Sequence, residues 1–156
     1  MKAYMATICG GFVTVTAILA MSGCTGDGRP TIIPNSDSTL RKSSTEFAAD
    51  AAKRSYEIDA PKSHDSIARA QYNVMERQFE VANLSNSDWQ NIEVWVNQRY
   101  VVCVPQFDRN TGKTLNFELF YDSNGHHFET DHGNNPVRSL QIYQGGKMYD
   151  VVATLQ

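Results

Sequence analysis

Residues 91–104 read NIEVWVNQRYVVCV, two alternating apolar runs separated by Asn97, Gln98 and Arg99. Side chains of a strand alternate between its two faces, so the runs predict a β-hairpin turning about Asn97-Gln98 or Gln98-Arg99. Either two-residue turn puts Ile92, Val94, Val96, Val101 and Cys103 on one face, expected to be the core. The opposite face then carries Glu93, Trp95, Tyr100, Val102 and Val104. Trp95 and Tyr100 become cross-strand neighbours there, and this aromatic pair is the candidate interaction surface.

The same texture extends in both directions. Residues 75–84 (MERQFEVANL) predict a strand with Met75, Phe79 and Val81 on one face, followed by a turn over 84–88. Residues 114–121 (TLNFELFY) predict another, with Leu115, Phe117, Leu119 and Tyr121 together, ended by Asp122-Ser123-Asn124-Gly125. A last hairpin pairs 137–144 with 147–155 about Gly145-Gly146, a dipeptide suited to positive φ. A two-residue turn there sets Ile142 opposite Tyr149 and Leu140 opposite Val151. Short strands with turn signals about every ten residues predict an all-β fold, a small antiparallel sandwich over residues 70–156.

Upstream, the chain of 156 residues is diluted by polar sequence, and its mean hydropathy is -0.42. Residues 24–69 read as a polar linker holding one short α-helix at about 45–58. Ser43-Ser44-Thr45-Glu46 supplies a capping-box pattern, and Phe47, Ala51, Ser55 and Ile58 recur on one face before Asp59-Ala60-Pro61 stops the run. Residues 1–23 have the form of a signal segment: Lys2, then a charge-free stretch over 6–21 that is short for a membrane span.

Three cysteines are present, Cys9, Cys24 and Cys103. Removal of the signal and modification of Cys24 would leave Cys103 alone, which excludes a disulfide-stapled scaffold and a cysteine-rich zinc module. Its β-branched neighbours predict an inert buried thiol. Lys and Arg number 14 against 17 Asp and Glu, so no basic field exists to hold a phosphate backbone and nucleic acid is not an expected partner. The metal-capable side chains concentrate in residues 126–132 (HHFETDH), where His126, His127 and His132 define a weak candidate metal site. In a strand His126 and His127 would point to opposite faces, without the i, i+4 helix spacing that converges two imidazoles. No Gly-x-Ser-x-Gly elbow, phosphate-cradling glycine loop or Cys-x-x-Cys occurs, so neither catalytic residues nor a cofactor are expected.

Met21-Ser22-Gly23-Cys24 resembles the lipobox of bacterial lipoproteins, with Met21 where that family usually has Leu. The resemblance implies cleavage before Cys24, diacylation of its thiol and usually acylation of the new amino terminus, a multi-chain anchor that holds stably to a membrane. Thr25, where enteric lipoproteins kept in the inner membrane have Asp, implies the outer membrane. The C-terminal half resembles small uncharacterised envelope proteins of planctomycete-type bacteria and immunoglobulin-like modules. The residues concerned are Asn83-Leu84-Ser85, Asp88-Trp89, Val94-Trp95-Val96-Asn97, Tyr100-Val101-Val102, Phe117 with Tyr121-Asp122, Gly125-His126-His127-Phe128 and Tyr149-Asp150-Val151. Those matches are structural and carry over no catalytic residue. The expectation is a lipid-anchored cell-envelope protein, on the outer membrane or its periplasmic face, presenting a β-sandwich to another envelope protein or a polymer. The alternative is a small-ligand or metal-binding domain using the 126–132 loop.

Overall fold

The computed structural model describes residues 31–63, 65, 67–130 and 135–156. Helix α1 (Ser44–Ala51) is followed by β1 (Lys62–Ser63), β2 (Ala68–Asn73), β3 (Gln78–Asn83), β4 (Trp89–Val96), β5 (Tyr100–Phe107), β6 (Gly112–Asn116), β7 (Leu140–Gln144) and β8 (Lys147–Leu155). The fold is all-β with one helix, as the alternation predicts. No described helix is long and apolar enough to cross a membrane.

The strand order is β5-β4-β7-β8-β2-β3-β6, with β1 beside β8. The expected antiparallel sandwich is corrected here to a mixed sheet, because β8 runs parallel to β1 and β2. β8 changes partners along its length: residues 147–151 pair with β7, and 152–155 pair with β2. A strand that serves two sheet segments turns the corner between them. The sheet curls until it nearly closes as a barrel. Val101 of β5 exchanges both backbone hydrogen bonds with Tyr121, which lies just beyond β6.

The C-terminal hairpin has the predicted register, Ile142 opposite Tyr149 and Leu140 opposite Val151, with Gly145 and Gly146 at φ of 57° and 78°. The central hairpin does not. Val96 pairs with Tyr100, so the turn holds three residues, and Asn97 and Gln98 sit in the left-handed region. One extra turn residue moves every β5 side chain to the other face. Tyr100, Val102 and Val104 therefore join Ile92, Val94 and Val96 in the barrel, while Val101 and Cys103 share the outer face with Glu93 and Trp95.

Two other expected strands are shorter. Residues 74–77 form the β2–β3 turn, with Arg77 at φ 54° and Met75 92% exposed, so Met75 leaves the face of Phe79 and Val81. Strand β6 ends at Asn116, and a single 3-10 turn over Phe117–Leu119 follows. That turn brings Phe117 and Phe120 inward together, which strict alternation forbids. Their rings pack against Phe79, with centroids 4.9 and 5.4 Å away.

The N-terminal part is more ordered than a linker. In α1, Glu46 N–H donates to Ser43 Oγ and Ser43 N–H donates to Glu46 Oε2, completing the capping box. The helix ends at Ala51, seven residues before the expected stop, once Phe47 and Ala51 are buried. Residues 31–43 lie across the seam between β5 and β6. Asn35 Nδ2 donates to Thr114 O at 3.2 Å, Lys113 pairs with Asp37, and the 3-10 turn Ser38–Leu40 sits against β5. Open strand edges invite pairing with other chains, and this segment covers two of them. Leu40, 0% exposed, is its anchor. Leu40→Ala is expected to lower the unfolding free energy by about 2 to 4 kcal/mol in urea titrations. A change below about 0.5 kcal/mol would be that of a solvated tether and would refute the seam role.

Candidate functional site

The outer face of β4, β5 and β7 is covered by α1 and by residues 52–60, and the cover leaves a groove beside the β4–β5 turn. Trp95 stands on that face because it alternates with the barrel-facing Val94 and Val96. Its ring meets Tyr56 edge-on, with centroids 5.5 Å apart and planes at 82°. Tyr56 O–H donates to Gln141 Oε1 at 2.8 Å, and Gln141 Nε2 donates to Asp150 Oδ1 at 2.7 Å. The chain satisfies the amide of the buried Gln141 and pins the segment after α1 onto β7.

Two arginines flank the groove. Arg54 pairs with Glu93, whose Oε2 also accepts from Trp95 Nε1 at 3.0 Å. The Arg54 Nε–H is buried and has no hydrogen-bond partner among the described residues. Arg99 donates through Nε at 3.2 Å and Nη2 at 2.7 Å to Asp122 Oδ2. The other oxygen, Oδ1, accepts the N–H groups of Asn124 and His126, each at 2.9 Å. Burial alone would raise the Asp122 carboxyl, but Arg99 and these two N–H groups outweigh it and hold the pKa at about 2. The groove encloses about 300 Å³ over a floor of Ala51, Trp95 and Val101, with Ser55, Gln98 and Ser123 at the rim.

Asn97 makes the turn rigid. Its Oδ1 accepts from Arg138 N at 2.7 Å and Ser139 N at 3.2 Å, and its Nδ2 donates to Pro136 O at 2.9 Å. Asn tolerates the left-handed backbone better than most residues, which suits it to this place. A second, polar hollow of about 500 Å³ lies across the turn, between Arg99 and Arg138.

The predicted aromatic surface is not one. Trp95 is 3% and Tyr100 7% exposed, and they occupy opposite faces of the sheet because the three-residue turn separates them. Tyr100 packs inside against Phe128, centroids 5.2 Å apart. Cys103, expected in the core, is half-buried on the outer face opposite Glu93. Burial still pushes its thiol pKa up, against the pull of the Arg54 charge.

The histidine loop divides its imidazoles. His126 Nδ1 lies 3.5 Å from Asp122 Oδ2, and His127 Nε2 lies 2.6 Å from Glu129 Oε1. Among the described residues no three His, Cys, Asp or Glu side chains converge as a metal site. His132, like Cys24 and the whole signal segment, lies outside the described residues. The sequence does not single out Arg54 and Arg99, which line the groove, or Asp122, which pairs with Arg99, as functional residues. The one signal available was Asp122-Ser123-Asn124-Gly125, a turn whose Asp caps its own backbone. Comparison of the chain with protein-family models, curated proteins and solved structures finds no match.

Proposed function

We propose that this chain is a lipid-anchored protein of the bacterial cell envelope, that Cys24 carries the acyl chains, and that the β-domain is a non-catalytic interaction module facing the periplasm from the outer membrane. The Met21-Ser22-Gly23-Cys24 resemblance supports the anchor. The observation that carries the reading is the seating of residues 33–43 on the barrel through Asn35, Asp37 and the buried Leu40, which shortens the tether. Eight residues separate Cys24 from Ile33, so the path between the two has a reach of about 30 Å at full extension. The module is thereby held close to its membrane, where it meets partners that are themselves fixed there. An immunoglobulin-like origin belongs to this proposal only for the antiparallel hairpins β2–β3, β4–β5 and β7–β8; the parallel pairing of β2 with β8 departs from that pattern.

The test is Cys24→Ser in a bacterial host fed an alkyne fatty acid. Wild-type protein is expected to take up the label and sediment with membranes, and the variant to lose the label and keep its signal segment. Wild-type protein that remains unlabelled and partitions into the aqueous phase of a detergent extract would overturn the anchor.

A further inference from the structure

We infer that the groove between Arg54 and Arg99 is a binding site for a carboxylate attached to a small apolar group, the chemistry of a peptide's C-terminal residue. This deepens the interaction reading proposed above and does not depend on the anchor.

The charges of the groove are arranged in depth. Its lining includes Arg54 and Arg99 and no acidic residue. The acids that orient them, Glu93 and Asp122, stand behind the lining. Each arginine is thus held in one orientation before a ligand arrives, and a fixed planar fork matches a carboxylate.

Three features select the ligand. Two cations backed by two carboxylates leave the site near neutrality, which suits a monoanion better than a doubly charged phosphate. The floor of Ala51, Val101 and Trp95 is apolar and takes a short aliphatic side chain. A volume of about 300 Å³ stands at the small end of ligand sites, enough for one terminal residue. The rim hydroxyls and the Gln98 amide then face the preceding peptide group.

The two indoles make the test direct. Trp95 lines the groove, whereas Trp89 is buried against Phe107 elsewhere in the barrel. In ¹H–¹⁵N spectra of the full chain in detergent micelles, N-acetyl-alanine is expected to shift the Trp95 indole N–H saturably at millimolar concentration and to leave Trp89 in place. N-acetyl-alaninamide, which differs only in lacking the charge, is expected to do nothing. Arg99→Lys keeps the charge beside Asp122 but loses the fork, and should weaken binding about fivefold or more. Ser55→Phe, a change at an exposed rim position, should abolish the shift while the rest of the spectrum is preserved. Equal shifts from acid and amide, parallel movement of both indoles, or saturation by inorganic phosphate without response to the acid would each overturn the inference. Any of these leaves the anchor, and an interaction through another face, standing.

Discussion

Phe128→Ala is expected to lower the unfolding free energy by about 3 to 5 kcal/mol, a large part of the roughly 5 to 15 kcal/mol that holds a domain together. Phe128 follows the histidine pair yet is fully buried, with ring centroids 5.2 Å from both Tyr100 and Phe117 and 6.4 Å from Phe79. Its N–H donates to Phe120 O at 2.8 Å, so backbone and ring enter the barrel together. These rings come from β3, β5, the 3-10 turn and the loop, elements distant in sequence. Truncation leaves a cavity walled by Phe79, Tyr100 and Phe117, three separately anchored rings that cannot close it. His127→Ala, one residue away but partly exposed, should change stability by less than about 0.5 kcal/mol. Urea unfolding of the two variants decides the matter: similar small effects would mean that the loop is not docked through Phe128.

What could be read in the sequence followed from local rules. The last hairpin was legible down to its register because Gly145-Gly146 admits one common turn, and the capping box of Ser43 and Glu46 because both partners lie three residues apart. The central hairpin failed by one residue. Nothing local in Val96-Asn97-Gln98-Arg99-Tyr100 distinguishes a two-residue turn from a three-residue one, and the choice is made by the barrel, which needs Tyr100 against Phe128 and Trp95 beneath Tyr56. That single residue displaced Cys103, Tyr100 and the expected interaction surface. Residues 31–43 read as tether because only Ile32, Ile33 and Leu40 are apolar; their worth comes from covering edges contributed by residues some seventy positions away. The groove was invisible for the same reason, since Arg54–Glu93 and Arg99–Asp122 join segments that no periodicity connects.

Asp122→Asn tests the second of those pairs, and its signature is a pH dependence as well as a loss. Asp122 is 2% exposed, and its carboxylate holds Arg99 on one side and two backbone N–H groups on the other. Asparagine can still accept from Asn124 and His126 but removes the charge that orients Arg99, so the variant should be less stable at neutral pH by about 2 to 3 kcal/mol. The folded carboxyl titrates at about 2, below an unfolded value near 3.9. The folded state therefore binds the proton less readily than the unfolded state, and the contribution is complete above pH 5. It falls as pH drops through 4 and is gone below 2, an integrated loss of about 2 kcal/mol. Asp37, Glu46 and Asp50 are also lowered by their partners, and they destabilise both proteins alike in acid. The difference between wild type and Asp122→Asn cancels them. Urea midpoints from pH 7 to pH 2.5 should show that difference constant down to about pH 5 and shrinking below it. A gap that stays the same across the range would assign the loss to altered loop geometry and remove Asp122 as the electrostatic support of Arg99. In that case the fork presented to the groove is set by packing on Tyr100, whose ring lies 5.1 Å from the guanidinium carbon.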